Sequence, residues 1–202
     1  DDAWTLKDVS FTVPAGTKAA LVGETGSGKT TCGYLVARLY DATRGTVSID
    51  GIDVRELTFG DVLRTVGYTN AVFGKWDMGQ ARRFLPLQRG FDEFVGHGNN
   101  GIDYFTHERY GAPSMFRGNG LSLSDKGTYA TDLFRREAVS FIRRNRAKPF
   151  FLYLPFNAPH IASNLEKDPL QVPASYLSKY YPDRDPESRD TKYAAMISAM
   201  DE

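Results

Sequence analysis

Eight consecutive residues, Gly23-Glu24-Thr25-Gly26-Ser27-Gly28-Lys29-Thr30, fit the pattern Gly-x-x-x-x-Gly-Lys-Ser/Thr at every fixed position. The chemistry of that spacing is phosphate capture. Glycines allow backbone angles that a side chain forbids, so successive N–H groups turn into one concavity that receives phosphate oxygens. A helix starting at Lys29 adds its partial positive charge. In such a loop Lys29 reaches the β- and γ-phosphates of a nucleotide and the Thr30 hydroxyl sits on Mg²⁺. The candidate binding set is Gly23, Glu24, Thr25, Gly26, Ser27, Gly28, Lys29, Thr30 and Thr31, with Thr30 as the metal contact. The alternative, an ordinary Gly-rich turn, is disfavoured by the elements on either side.

Those elements must position the loop. Residues 5–13 alternate polar and apolar, as a half-buried strand does, and Pro14-Ala15-Gly16-Thr17 is a turn. Lys18 to Val22 is a short apolar strand entering the loop. Lys29 to Tyr40 is a helix with Leu35, Val36 and Leu39 on one side; a turn over Asp41–Gly45 and a short strand over Thr46–Asp50 follow. Strand, loop and helix in that order give the pattern its mechanism.

Further on, Phe59–Val66 reads as a short helix and Tyr68–Trp76 as a strand running into a loop. Thr128–Arg146 is the clearest helix, with Leu133, Ala138, Phe141 and Ile142 at helical spacing, stopped by Lys148-Pro149. Phe150–Phe156 is a continuous apolar run bounded by prolines, the mark of a buried parallel strand. Residues 161–187 read as loop and Arg189–Met200 as a helix.

The chain has 202 residues, with 25 Lys and Arg against 25 Asp and Glu. Zero net charge argues against nucleic acid as a partner. The run Arg135, Arg136, Arg143, Arg144, Arg146 and Lys148 reads as a solvated helix face rather than a binding patch. Cys32 is the only cysteine, so no internal disulfide forms. No apolar stretch approaches the ~18–20 residues that span a bilayer, and no signal-peptide core precedes Trp4. A cytoplasmic location is the default expectation.

Residues 4–57 resemble the start of an ABC-transporter ATPase domain of the exporter type. The residues that carry this are Leu6-Lys7-Asp8-Val9-Ser10-Phe11, Ala20 through Thr31, and Gly45-Thr46-Val47-Ser48-Ile49-Asp50-Gly51-Ile52-Asp53-Val54-Arg55. The resemblance implies MgATP as cofactor and, for an intact relative, a transporter membrane domain as partner. Departures limit what carries over. No Gln follows Val66-Gly67-Tyr68, no Leu-Ser-Gly-Gly-Gln segment occurs, and Leu121-Ser122-Leu123-Ser124-Asp125 lacks its glycines. No apolar strand ends in Asp-Glu. The aromatic that stacks on adenine has no counterpart, with Trp4 as a substitute. Nucleotide binding without competent hydrolysis is the expectation.

Residues 61–202 resemble the sulfatases, of the alkaline-phosphatase-like fold. The carrying residues are Asn70 through Gly79 (Asn-Ala-Val-Phe-Gly-Lys-Trp-Asp-Met-Gly), Arg89-Gly90-Phe91-Asp92-Glu93-Phe94, Gly101-Ile102-Asp103-Tyr104-Phe105, Pro149 through His160, and Tyr193-Ala194-Ala195-Met196-Ile197. The resemblance gives Lys75 the role of a sulfate-contacting lysine and His160 that of a histidine that contacts sulfate or protonates the leaving oxygen. Asp77 stands where the family has a histidine and holds no proton to donate near neutral pH unless its pKa is raised. The family's nucleophile lies in a Cys-x-Pro-Ser-Arg-like segment; Cys32 precedes Gly33-Tyr34-Leu35 instead. Ca²⁺ is expected for an intact sulfatase, but its first ligand pair belongs where the ABC-like segment stands and its second beyond Glu202. His97 and His107 have no metal-ligand spacing and read as surface or loop residues.

The expected fold is α/β: a partial P-loop NTPase strand–loop–helix unit over 1–57, joined through a crossover at 58–67 to a partial sulfatase α/β segment over 68–202. Residues 58–67 suit both families, so the chain reads as a hybrid spliced inside two folds. Lys18–Val22 is a candidate partner for Phe150–Phe156 in one mixed sheet. Three functions compete: a nucleotide-binding protein, a sulfuric-ester hydrolase fragment that acts on a sulfate ester only if its site is completed, and a chimeric fragment without activity.

Overall fold

A computed structural model describes residues 4–36, 40–166 and 168–202. The chain divides into two compact units, Asp1–Thr58 and Phe59–Glu202.

In the first unit the Gly-rich loop leads into α1 (Lys29–Val36), none of whose residues is buried. Leu39, expected on the apolar side of this helix, lies outside the described residues. Strands β1 (Ser48–Ile49) and β2 (Ile52–Asp53) form an antiparallel hairpin. Its turn residues Asp50 and Gly51 both have left-handed φ angles, +51° and +80°, which is why Asp-Gly serves there. Two expected strands are absent. Residues 5–13 and 18–22 lie outside helix and strand, and Val9, Phe11, Val13, Leu21 and Val22 are exposed. A strand needs a neighbour for its N–H and C=O groups, and among the described residues of this unit only β1 and β2 pair. The expected strand–loop–helix unit therefore has its loop and helix but not its strand.

The second unit starts with α2 (Phe59–Thr65) and β3 (Thr69–Lys75), followed by two short 3₁₀ turns, Arg82–Phe84 and Pro86–Gln88. Then come β4 (Glu93–His97), β5 (Glu108–Arg109), β6 (Ala112–Pro113), β7 (Met115–Arg117) and β8 (Gly120–Leu121). Helix α3 (Ala130–Asn145), β9 (Phe150–Tyr153), α4 (Ala174–Tyr180) and α5 (Arg189–Met200) complete it.

The main sheet is five-stranded and mixed, in the order β8-β7-β4-β3-β9. β3 runs parallel to both β4 and β9, while β7 is antiparallel to β4 and to β8. β3 is buried on both faces, as the central strand of a covered sheet must be. Alternate residues serve opposite layers. Ala71 and Phe73 join the core beneath α3, where Phe141 meets Phe73 and Phe150 edge-on at 5.9 and 5.7 Å. Val72 joins Trp76, Leu85, Phe91, Phe94 and Phe116 on the other side. Asn70 is fully buried; its Nδ2 donates to the carbonyls of Gly60 and Gly90, at 2.8 and 2.9 Å, and ties the start of α2 to the turn before β4.

The strand expected over Phe150–Phe156 forms over Phe150–Tyr153 and pairs with β3 at the sheet edge, while Lys18–Val22 forms no strand to join it. Pro155 has no N–H to extend the ladder. Helix α4 emerges inside the stretch expected to be loop, starting after Pro173.

Candidate functional site

The phosphate-type loop of the first unit is shaped by its own residues. Gly26 and Gly28 both have φ of +87°, and a Cβ on Gly28 would meet Leu6 Cδ2 at 2.4 Å. Ser27 N–H donates to Glu24 O at 3.2 Å and closes a turn. The Lys29 ammonium curls back over the loop, donating to the carbonyls of Gly23 at 2.7 Å and Glu24 at 2.6 Å and to Ser27 Oγ at 3.3 Å. Thr25 is exposed at the loop's tip; Thr30 is exposed and Thr31 half-buried in the first turn of α1. Trp4, the candidate adenine-stacking aromatic, carries the Arg44 guanidinium over its ring at 5.2 Å.

In the second unit the candidate residues gather where three strands end. β3 and β4 finish together, with Lys75 opposite His97, and β9 runs parallel on the other side of β3. Ligands of open α/β sheets bind at such carboxyl edges. Close backbone approach holds the edge together. A Cβ on Gly74 would meet Pro155 O at 2.0 Å, and one on Gly96 would meet Gly74 O at 1.9 Å. Lys75 N–H donates to Pro155 O at 2.7 Å and Trp76 N–H to His97 O at 2.8 Å.

Lys75 Nζ lies 3.5 Å from Asp77 Oδ2, an ion pair in which the lysine side chain is the more shielded partner. Asp77 has a φ of +54°, a costly setting for a residue with a Cβ and one that gathers at functional sites. His160 follows β9 on an exposed loop; its Nδ1 contacts Ile161 O at 2.8 Å. Because that partner is a carbonyl, Nδ1 carries a proton, and Nε2 has no hydrogen-bond partner among the described residues. The loops after the three strands touch. Gly79 N–H donates to Gly98 O at 3.2 Å, and a Cβ on Gly101 would come within 3.6 Å of the His160 ring. The Tyr104 hydroxyl donates to His160 O at 2.7 Å; burial pushes that hydroxyl's pKa up and keeps it a donor.

His97 was read from the sequence as a surface or loop residue. It is the last residue of β4 and fully buried, so burial holds its pKa down at about 4. His107 is buried too, its Nε2 on Thr128 O at 2.9 Å. No local signal marks His97: Gly96 and His97 carry little strand propensity, and the burial comes from the pairing of β4 with β3.

A mixed sheet packed against helices, with a lysine and a histidine at the carboxyl edge of its parallel strands, defines an α/β protein. The Sulfatase family model matches residues 19–202, and the chain belongs to the sulfatase family. It is similar to N-acetylgalactosamine-6-sulfatase of Rattus norvegicus, 33% identical over 124 residues, covering 54% of this chain and 23% of that protein. It is also similar to the ABC transporter ATP-binding protein YknV of Bacillus subtilis (strain 168), 53% identical over 163 residues, covering 74% of this chain and 24% of that protein. The solved structure of Ps i-CgsB in complex with k-i-k-neocarrahexaose superposes with a TM-score of 0.58 at 28% identity, covering 77% of this chain and 36% of that one. The chain thus spans about a quarter of the length of the two proteins. The hybrid resemblance read from the residues, sulfatase and ABC ATPase together, recurs in these matches.

Sulfatases generally use a calcium ion and act on sulfate esters; ABC ATPases use MgATP and work with membrane domains. Among the described residues no three His, Cys, Asp or Glu side chains cluster as a cation site. No helix of the described residues is long and apolar enough to cross a membrane.

Proposed function

We propose that the carboxyl edge of β3, β4 and β9 binds a sulfate ester, with Lys75 as the cation for the sulfate oxygens. The observation that carries this reading is the parallel pairing of β3 with β4 and β9, which brings Lys75, Asp77 and the His160 loop to one edge. A fixed ammonium in a partly dehydrated site stabilises negative charge on a sulfuryl group. His160, with a free Nε2, is the group able to hold or give a proton at the ester oxygen. Asp77 restrains the ammonium. The rat relative's name points to a sulfated sugar as the substrate class. Cys32 stands outside the nucleophile segment, so the reading is binding without turnover.

Titration with inorganic sulfate and with an aryl sulfate tests it. Lys75→Met is expected to weaken both by about tenfold or more, the scale of a lost charge-assisted hydrogen bond. Equal affinity of wild type and variant rejects the site, and aryl sulfate hydrolysis rejects the binding-only reading.

The loop geometry favours a second reading for the first unit: Gly23–Thr31 binds the phosphates of MgATP without hydrolysing it. Its support is the pair of left-handed glycines with the Lys29 ammonium already folded over the loop. MgATP is titrated against wild type and Lys29→Ala; matching affinities would eliminate the nucleotide site.

A further inference from the structure

Two polar groups at the sheet edge each lack what the other offers. His97 Nε2 is buried and has no hydrogen-bond partner among the described residues. The other ring nitrogen settles the tautomer. Nδ1 faces the Asn99 carbonyl at 2.9 Å and Asn99 Oδ1 at 3.1 Å. Asn99 Nδ2 donates to Ser114 Oγ at 2.8 Å, and the backbone carbonyl at Nδ1 can only accept. Both neighbours of Nδ1 are acceptors, so Nδ1 carries the proton and Nε2 presents a lone pair.

On the adjacent strand stands a donor with the opposite deficit. The Lys75 ammonium has three N–H groups, and its one partner among the described residues is Asp77 at 3.5 Å, beyond a good hydrogen bond. Lys75 and His97 are paired residues of parallel strands, so their side chains leave the same face of the sheet.

We propose that His97 is a positioning residue for Lys75: its unprotonated Nε2 takes a hydrogen bond from the ammonium, directly or through one water, and fixes where that cation stands. Burial, which holds the imidazole neutral well below physiological pH, keeps the lone pair available. Asp77 restrains the ammonium from the loop after β3, and His97 restrains it from β4. The proposal deepens the sulfate-ester reading, since it names what aims the cation of that site.

Nitrogen NMR on the full-length ¹⁵N-histidine-labelled chain reads the contact. Lys75→Met is expected to move the His97 Nε2 resonance toward that of an unbonded neutral imidazole, while Lys126→Met, a cation paired with Glu108 elsewhere, leaves it in place. An Nε2 resonance indifferent to Lys75→Met overturns the proposal; Lys75 is a partly exposed side chain, so this variant keeps the fold. With inorganic sulfate as probe, His97→Leu is expected to weaken binding about tenfold and His97→Gln, which keeps an acceptor, to restore it to within about twofold. Equal affinity for the folded Leu and Gln variants also overturns it. Failure of the wild-type chain to bind sulfate rejects the proposed function instead, and the Nε2 resonance still decides the role of His97.

Discussion

Replacing Gly74 with alanine tests how the sheet edge is held. The glycine has a φ of +133°, and an added Cβ would lie 2.0 Å from Pro155 O and 2.8 Å from its carbonyl carbon. Those are backbone atoms, so one strand end must move away from the other. Pro155 O also accepts the Lys75 N–H at 2.7 Å, and the movement breaks that bond. A sparsely populated backbone setting costs about 1–3 kcal/mol. The lost hydrogen bond adds about 0.5–1.5 kcal/mol, and overpacking about 1–3 kcal/mol. Together these give an expected loss of about 2.5–7.5 kcal/mol, a large part of a typical domain's ~5–15 kcal/mol. Gly67→Ala is the control: its φ is +83° but nothing lies within 4 Å, so only the backbone term, about 1–3 kcal/mol, remains. Urea unfolding followed by Trp76 fluorescence reports the edge directly, because Trp76 is buried and its Nε1 donates to Phe84 O at 2.6 Å. A Trp4→Phe background removes the second of the chain's 2 tryptophans. Midpoints are compared at unchanged slope. A Gly74→Ala loss no larger than that of Gly67→Ala refutes the close-approach argument.

Phe141→Ala is expected to cost about 3–5 kcal/mol in chemical denaturation, because the ring is fully buried between Phe73 and Phe150; a loss under about 1 kcal/mol would contradict that packing. Asp125 accepts bonds from Arg117 and Arg136, each at 2.7 Å, and the Arg117 guanidinium is the main cause that holds its pKa at about 2, below the usual 3.8. The folded value lies below the unfolded one, so this contribution is present above pH ~4 and disappears as pH falls toward 2; it amounts to about 2 kcal/mol. Asp125→Asn is expected to flatten the acid limb of stability between pH 5 and 2 in urea titrations run at each pH, roughly by that amount. An unchanged acid limb counts against the ion-pair account.

Much of the second unit was legible because its signals are local and strong. The helical period of Leu133, Ala138 and Phe141 gave α3, and the apolar run at Phe150 gave β9, each with ends shifted by a few residues. Helix α4 was hidden in a polar, proline-rich stretch because only Tyr176 of its residues is buried. β4 was hidden because glycine and histidine end it. At the proposed site, Lys75 and His160 were candidates through family resemblance. His97 was not, since its burial and its partner come from pairing with β3, which no window around residue 97 contains.

The same contrast separates the two proposed anion sites. The first unit's loop is held by contacts within a few residues: Ser27 to Glu24, and Lys29 to Gly23 and Glu24. It keeps its shape although the strand that should precede it does not form. Its ammonium, however, is already bonded to two carbonyls, so capturing phosphate means exchanging those bonds for phosphate oxygens, and part of the gain is lost in the exchange. Among the described residues Lys75 has only the long ion pair with Asp77, and on the proposed reading the bond to His97 leaves two of its N–H groups for a ligand. Its position depends on distant strands, which makes it hard to read from sequence but also fixes it before a ligand arrives. By this reasoning the sheet edge is the better prepared of the two proposed sites; its vulnerable point is the strand pairing at Gly74, as the loop's is Gly28, where an added Cβ would meet Leu6 Cδ2 at 2.4 Å.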